Sequence, residues 1–194
     1  MIDKYGNLLI CEHSDFTGGR YSFHTWNAPI IQDPAKVIPI WKDLNLMGKS
    51  VQSLRALGFC WDDIGKPDKH NGLQLDMPFV LEFTDGTTFE FDFTDGGTIR
   101  MSINQIPADI TGNNVNVDAD RIFSDFHGKR LMGLKMQIGT ETPDFTWAYE
   151  LDLPKQDAYI DKIILVFTDN LCLVFSAYYD FMIVKQVDLY ELIY

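Results

Sequence analysis

The sequence predicts a mainly β (α+β) fold: two tandem copies of a strand–loop–meander unit with one or two short helices, preceded by an N-terminal β-hairpin. Two observations carry that prediction. First, the chain repeats itself. Leu46-Met47-Gly48 with Gln52 returns as Leu131-Met132-Gly133 with Gln137 at an offset of 85 residues. Leu81, Phe83, Thr84, Asp85, Phe91 and Ile99 return as Leu165, Phe167, Thr168, Asp169, Phe175 and Ile183 at an offset of 84. Two blocks in one order at nearly one offset mark a duplication. Second, apolar and polar residues alternate with period two through residues 79–103, the pattern of strands with one face in the core.

The elements follow in order. Leu8 to Cys11 and Tyr21 to Trp26 flank Thr17-Gly18-Gly19 and read as a hairpin within a leading segment, residues 1–32. The first copy, residues 33–110, opens on Asp33 as a helix cap with Pro34 at the first helical position; Pro39 limits that helix to one or two turns. Val51 to Leu57 reads as a strand. Phe79, Leu81 and Phe83, then Phe89, Phe91 and Phe93, then Ile99, Met101 and Ile103 make a three-stranded meander, joined at Asp85-Gly86 and Asp95-Gly96-Gly97. Glu82, Thr84, Glu90, Asp92, Thr98, Arg100 and Ser102 lie between them, so one face of this meander is expected to meet water.

Thr111 to Asn116, rich in Asn and Gly, joins the halves of what reads as a single domain, residues 1–194. In the second copy, residues 117–194, Asp118 caps a short helix whose Ala119, Ile122, Phe123 and Phe126 share a face before Gly128. Lys135 to Ile138 reads as a strand. The second meander repeats the inward set but places Ile164, Val166, Cys172 and Val174 on the other face as well. A sheet apolar on both faces must be covered on both. Cover by the chain itself, through a helix and the N-terminal segment, is the expectation; a homodimer seated on that face is the alternative. Each copy also carries a long connection, 28 residues between Gln52 and Leu81 and 27 between Gln137 and Leu165, and connections of that length are often functional.

Charge narrows the function classes. Sixteen Lys and Arg against 28 Asp and Glu give a net charge of −12. Such a chain disfavours nucleic acid and anionic membranes, since phosphate neutralisation needs clustered cations, and favours a basic protein partner. The N-terminus lacks a basic region followed by an apolar stretch, no run approaches the length that spans a bilayer, and Cys11, Cys60 and Cys172 are odd in number and widely spaced. The expected location is the cytoplasm.

Catalytic and metal motifs are weak. Gly48-Lys49-Ser50 resembles the end of a phosphate loop, but position 43 is Asp where that loop needs Gly, so nucleotide binding is rejected and no cofactor is expected. Phe83 to Gly86 and Phe93 to Gly96 lack the ligand spacing of a calcium loop and read as turns. Cys11, His13 and His24 are the best metal candidates, three ligands where structural zinc wants four; packing is the commoner role. His70 with Asp62 or Asp63 offers an acid–base pair, an alternative in which the 60–70 loop serves an enzyme or small-ligand site. Trp61 with Asp62 and Asp63, and Trp147 with Tyr149, Glu150 and Asp152, place aromatics among carboxylates, the chemistry of an anchor for a basic protein surface.

The order Leu46-x-Gly48-Lys49-x-Val51, then Leu81-x-Phe83-x-Asp85-Gly86-x-x-Phe89, resembles a β module of small, uncharacterised bacterial cytoplasmic proteins, some of them similar to immunity proteins that bind and block a toxin domain. The resemblance covers roughly residues 33–194 and implies a non-enzymatic binding protein. The second copy departs from it at Asn170 for Gly and Leu134 for Lys, and no functional residue is carried over.

Overall fold

The computed structural model describes residues 10–14, 20–25, 45–56, 68–75, 78–93, 99–104, 118–139, 144–147, 159–178 and 181–192. Strands β1 (Ile10–Ser14) and β2 (Arg20–Thr25) pair with each other. Strands β3 (Val51–Ala56), β5 (Phe79–Phe83), β6 (Thr88–Phe93) and β7 (Ile99–Ile103) form a four-stranded antiparallel sheet in the order β3-β5-β6-β7. A six-stranded antiparallel sheet takes β4 (Leu73–Leu75), β8 (Leu131–Gly139), β9 (Asp144–Trp147), β10 (Tyr159–Phe167), β11 (Leu171–Ala177) and β12 (Met182–Asp188), in the order β4-β12-β11-β10-β8-β9. The fold is mainly β.

Both long connections contain strand. β9 stays with its own half against β8, whereas β4 leaves the first half and pairs with β12 of the second.

The two sheets follow one plan: a first strand, a long connection, then a three-stranded meander whose leading strand pairs with the first. Each first strand carries a β-bulge at one place, Gln52 between the Val51–Phe83 and Ser53–Glu82 pairs and Met132 between Leu131–Phe167 and Gly133–Val166. Phe83 and Phe167 therefore hold the same position. The register corrects the sequence alignment. Val51 corresponds to Leu131 and Leu54 to Leu134, an offset of 80, so Gly48-Lys49 corresponds to Gly128-Lys129 and not to the more obvious Gly133-Leu134. The Lys that the string match leaves out of the second copy is present, five residues earlier. In the last strand the partner of Phe93 is Ile99 and that of Ala177 is Met182, so Met182, not Ile183, occupies the place of Ile99.

The first strands meet at their beginnings. Ser50 and Arg130 form an antiparallel bridge, flanked by four backbone hydrogen bonds: Gly48 N–H to Leu131 O at 2.7 Å, and Gly128 N–H to Val51 O, Val51 N–H to Lys129 O and Leu131 N–H to Lys49 O at 2.9 Å. Exchanging the halves maps each bond onto another of the four. The same exchange relates Thr84 N–H to Ser50 O with Thr168 N–H to Arg130 O, both 2.9 Å. Gly48 at φ 82 and Gly128 at φ 72 make the turns that deliver these segments, a left-handed conformation that strains any residue with a Cβ.

Inner faces of both sheets make one hydrophobic cluster, from Phe79, Leu81, Phe89 and Phe91 on one side to Leu165, Phe167, Leu173 and Phe175 on the other. The Phe91 and Phe175 rings, equivalent by the same exchange, stack at 4.0 Å and 19°. Asp118 caps helix α1 (Ala119–Ile122) by accepting from Arg121 N–H at 3.1 Å, and Phe123 and Phe126 after it are fully buried, Phe126 edge-on to Phe167.

Outer faces differ from expectation in one sheet. Part of the polar face of the first meander is not in water: Glu90 and Asp92 are buried beside Val80 and Thr88, while Glu82 is half-buried and Thr84 exposed; Thr88 Oγ1 donates to Glu90 Oε1 at 2.5 Å and Ser53 Oγ to Glu82 Oε2 at 2.9 Å. Polarity is a sound guide to strand face but not to exposure, because hydrogen-bonded polar side chains tolerate cover. On the second sheet, Ile164, Val166, Cys172 and Val174 are buried within the chain, and Val187, Leu189 and Leu192 pack on them, the last two from the 3-10 turn Leu189–Leu192. That face is closed without a second chain.

Two substitutions test the equivalence of the turns. Open space surrounds both Gly48 and Gly128 where a Cβ would stand, so strain alone acts. Gly48→Ala and Gly128→Ala are each expected to cost about 1–2 kcal/mol in urea unfolding, against about 3–5 kcal/mol for Phe175→Ala in the stacked core. A large difference between the two glycines would break the correspondence.

Candidate functional site

The residues singled out by sequence fall partly inside and partly outside the described residues. Trp61, Asp62, Asp63, Tyr149, Glu150 and Asp152 lie outside the described residues, as does Cys60. Trp147 ends β9 opposite Lys135. Cys11 and His13 lie on β1 opposite Phe23 and Tyr21, so His24 on β2 is the register partner of neither. His70 is exposed in a turn closed by Asp68, whose Oδ1 accepts from His70 N–H at 2.8 Å and Asn71 N–H at 2.7 Å. The Asn71 and His70 donors hold the Asp68 carboxyl below its usual range. Asp68 thus orders the backbone around His70. Cys172 is fully buried, and loss of solvation pushes its thiol up to about 12, which leaves it unreactive.

What the fold brings together is a set of lysine–carboxylate locks. Lys49 Nζ donates to Asp85 and Lys129 Nζ to Asp169, the same pair in each half. Lys49 also reaches Thr87 Oγ1 at 3.1 Å, and Asp85 Oδ1 accepts Thr87 N–H at 3.0 Å. The Lys49 ammonium chiefly, with the Thr87 donors, brings the Asp85 carboxyl from 3.8 to about 2. These pairs tie the segment entering each first strand to the turn of the hairpin beside it. A third lock joins the β4 turn to the second half: Lys69 pairs with Asp125, Gln186 Nε2 donates to Asp125 Oδ2 at 3.1 Å, and Gln186 N–H donates to Lys69 O at 2.7 Å.

One imidazole–carboxylate pair escapes the sequence reading. His127 Nε2 lies 2.9 Å from Asp120 Oδ1, which also accepts the Leu54 N–H at 2.9 Å. A carboxylate that orients an imidazole is the arrangement of a general base. Here it also fastens α1 to the outer edge of β3.

At the turn end of the six-stranded sheet an aromatic side chain stands among acids. Tyr190, 62% exposed, rises from the C-terminal 3-10 turn beside Asp188 and Glu191, both exposed. Asp188 Oδ1 accepts the Tyr190 N–H at 3.1 Å, and Asn170 Nδ2 donates to the Tyr190 hydroxyl at 3.4 Å, which brings the β10–β11 turn and its exposed Asp169 alongside. This is the aromatic-with-carboxylates chemistry sought at Trp61 and Trp147, found on a different element. Its sequence signal is the string Asp188-Leu189-Tyr190-Glu191, hidden at the end of a strand pattern.

Replacing Lys49 tests the lock. Asp85 is depressed when folded, so its contribution is present above about pH 4 and lost as pH falls through about 2. Because the Asp85 side chain is 48% exposed, solvent screening limits the pair to well under about 1 kcal/mol. In Lys49→Ala, NMR titration is expected to return Asp85 toward 3.8 while thermal stability at neutral pH falls only slightly; an unmoved titration would show that Lys49 does not hold it. Comparison with protein-family models, with curated proteins and with solved structures finds no match.

Proposed function

We propose that this chain, which we read as two copies of one ancestral unit, is a non-enzymatic binding protein of the immunity type that engages a basic protein partner through its acidic surface. The observation that carries this reading is Tyr190, a large aromatic held by two hydrogen bonds at the backbone and hydroxyl, exposed, and set beside the exposed Asp188 and Glu191. Tyrosine supplies much contact area at low entropic cost, and surrounding carboxylates complement Arg and Lys on a partner. The net charge of −12 supplies a long-range field of the same sign. Lys129 is already paired with Asp169, on the loop whose Asn170 holds the Tyr190 hydroxyl. Trp61 and Trp147, with the acids near them in the sequence, add the same chemistry.

Capture from native lysate tests this. The expected result is a stoichiometric basic protein retained at low salt, released as exposed charge is screened, and bound about tenfold or more weakly by Tyr190→Ala. Absence of a stoichiometric partner, or capture indifferent to both salt and Tyr190, would refute the reading. A second reading, proton-transfer chemistry on a small ligand, gains from the His127–Asp120 pair rather than from His70. A substrate screen in which His127→Ala and Asp120→Asn match the wild type removes it.

A further inference from the structure

We propose that this chain forms a dimer by reciprocal exchange of its halves, a second copy of the same chain being the partner for which the inter-half surface is built. This inference is independent of the binding function above.

In a two-fold interface between identical subunits, if residue i touches j then j touches i, and residues on the axis touch their own equivalents. The contact between the halves has that form. Gly48 donates to Leu131 as Gly128 donates to Val51, and Val51 donates to Lys129 as Leu131 donates to Lys49. Ser50 bridges Arg130, its own equivalent, and Phe91 stacks on Phe175, its own equivalent, at 4.0 Å. Each half therefore carries both sides of a self-complementary interface. The chain runs from one half to the other through residues 105–117, which include Gly112, Asn113, Asn114 and Asn116. An element already crosses: β4 of the first half completes the second sheet beside β12, held there by Gln186 N–H on Lys69 O.

The energetics follow from identity of contacts. A first half docked on its own second half and one docked on another copy's make the same hydrogen bonds and bury the same rings, so the two arrangements differ only in the connection and in mass action. A short connection between the halves gives an effective concentration on the order of millimolar. The closed monomer is thus favoured in dilute solution and the exchanged dimer as protein concentration approaches that range. Because the halves share one hydrophobic cluster, passing between the two forms requires the core to open, and each form, once folded, persists.

The test adds cysteines at the bridged pair to the full chain, which already carries Cys11, Cys60 and Cys172. Antiparallel partners bring Cα atoms to about 4.5–5.5 Å, within disulfide range. Ser50→Cys and Arg130→Cys in one chain should close an intrachain bond after dilute refolding, which establishes that the geometry is sound. Ser50→Cys and Arg130→Cys on separate chains, unfolded in urea, mixed and refolded at roughly 1 μM and roughly 500 μM, should give an interchain disulfide between those two positions only at the higher concentration, identified by peptide mass mapping. Light scattering of the wild type refolded in parallel should show a dimer that survives dilution. A monomer at both concentrations would overturn the proposal. So would a dimer whose separately substituted chains form no disulfide between those two positions while the doubly substituted chain closes its own.

Discussion

Residues near the centre of this molecule are constrained by having to face their own counterparts. Ser50 lies against Arg130 and Phe91 against Phe175, and between those points the strands of each half must arrive in antiparallel register. That requirement dictates the chemistry on either side. Each first strand must be entered from a turn tight enough to let an amide face the opposite carbonyl, and glycine at positive φ provides it at Gly48 and Gly128. The residue after each glycine sits beside the next hairpin of its own half, where a long cation reaches the turn carboxylate. Hence Gly-Lys before the strand and Asp in the turn occur together in both halves, as a structural unit.

The sequence makes some of this legible and obscures the rest for identifiable reasons. Period-two alternation locates the meanders because every inward position from Phe79 to Ile103 is buried where it is described, and Asp118 caps its helix as composition demands. The likeness of the two sheets is legible in the recurring strings, but its register is misread from Leu-Met-Gly, which has no structural counterpart. Leu46 is a buried residue in a turn, whereas Leu131 opens β8; the residue that fills the place of Leu46 is Phe126, and apolar size is retained there without identity. A one-residue difference in the last turn displaces Ile183 from the core face for the same reason, since one step along a strand reverses a side chain. Exposure is the other failure. Glu90 and Asp92 read as solvent-facing from their charge, yet a carboxylate accepting a hydroxyl proton, as Glu90 does from Thr88 at 2.5 Å, can be enclosed.

For the candidate site, the same chemistry is read in the sequence on other elements. Trp61 and Trp147 stand out because they lie in long connections beside acids, while Tyr190 continues an alternating strand and its acids are distributed over two elements. Asp169 and Asp188 belong to different turns, and only the pairing of β11 with β12, which sets Leu171 opposite Asp188, brings them to one end of the sheet. His127 and Asp120 are likewise seven residues apart across two short helical turns, a spacing that does not mark an acid–base pair in the sequence.

The acidic surplus divides into two populations with different physical fates. Asp85, Asp125 and Asp169 each hold a lysine and act in the fold; Asp85 is depressed to about 2 and Asp125 is lowered, chiefly by the ammonium beside each, so both stay ionised throughout the neutral range. Asp188 and Glu191 stand exposed at Tyr190, where Asp188 gives one oxygen to a backbone N–H and retains capacity to accept further. A cationic partner approaching this end of the sheet would meet carboxylates that need no reorganisation, around a ring whose hydroxyl is already fixed by Asn170. The β10–β11 loop that anchors Lys129 on Asp169 also steadies Tyr190 through Asn170, so both contacts form within the second half and share one turn.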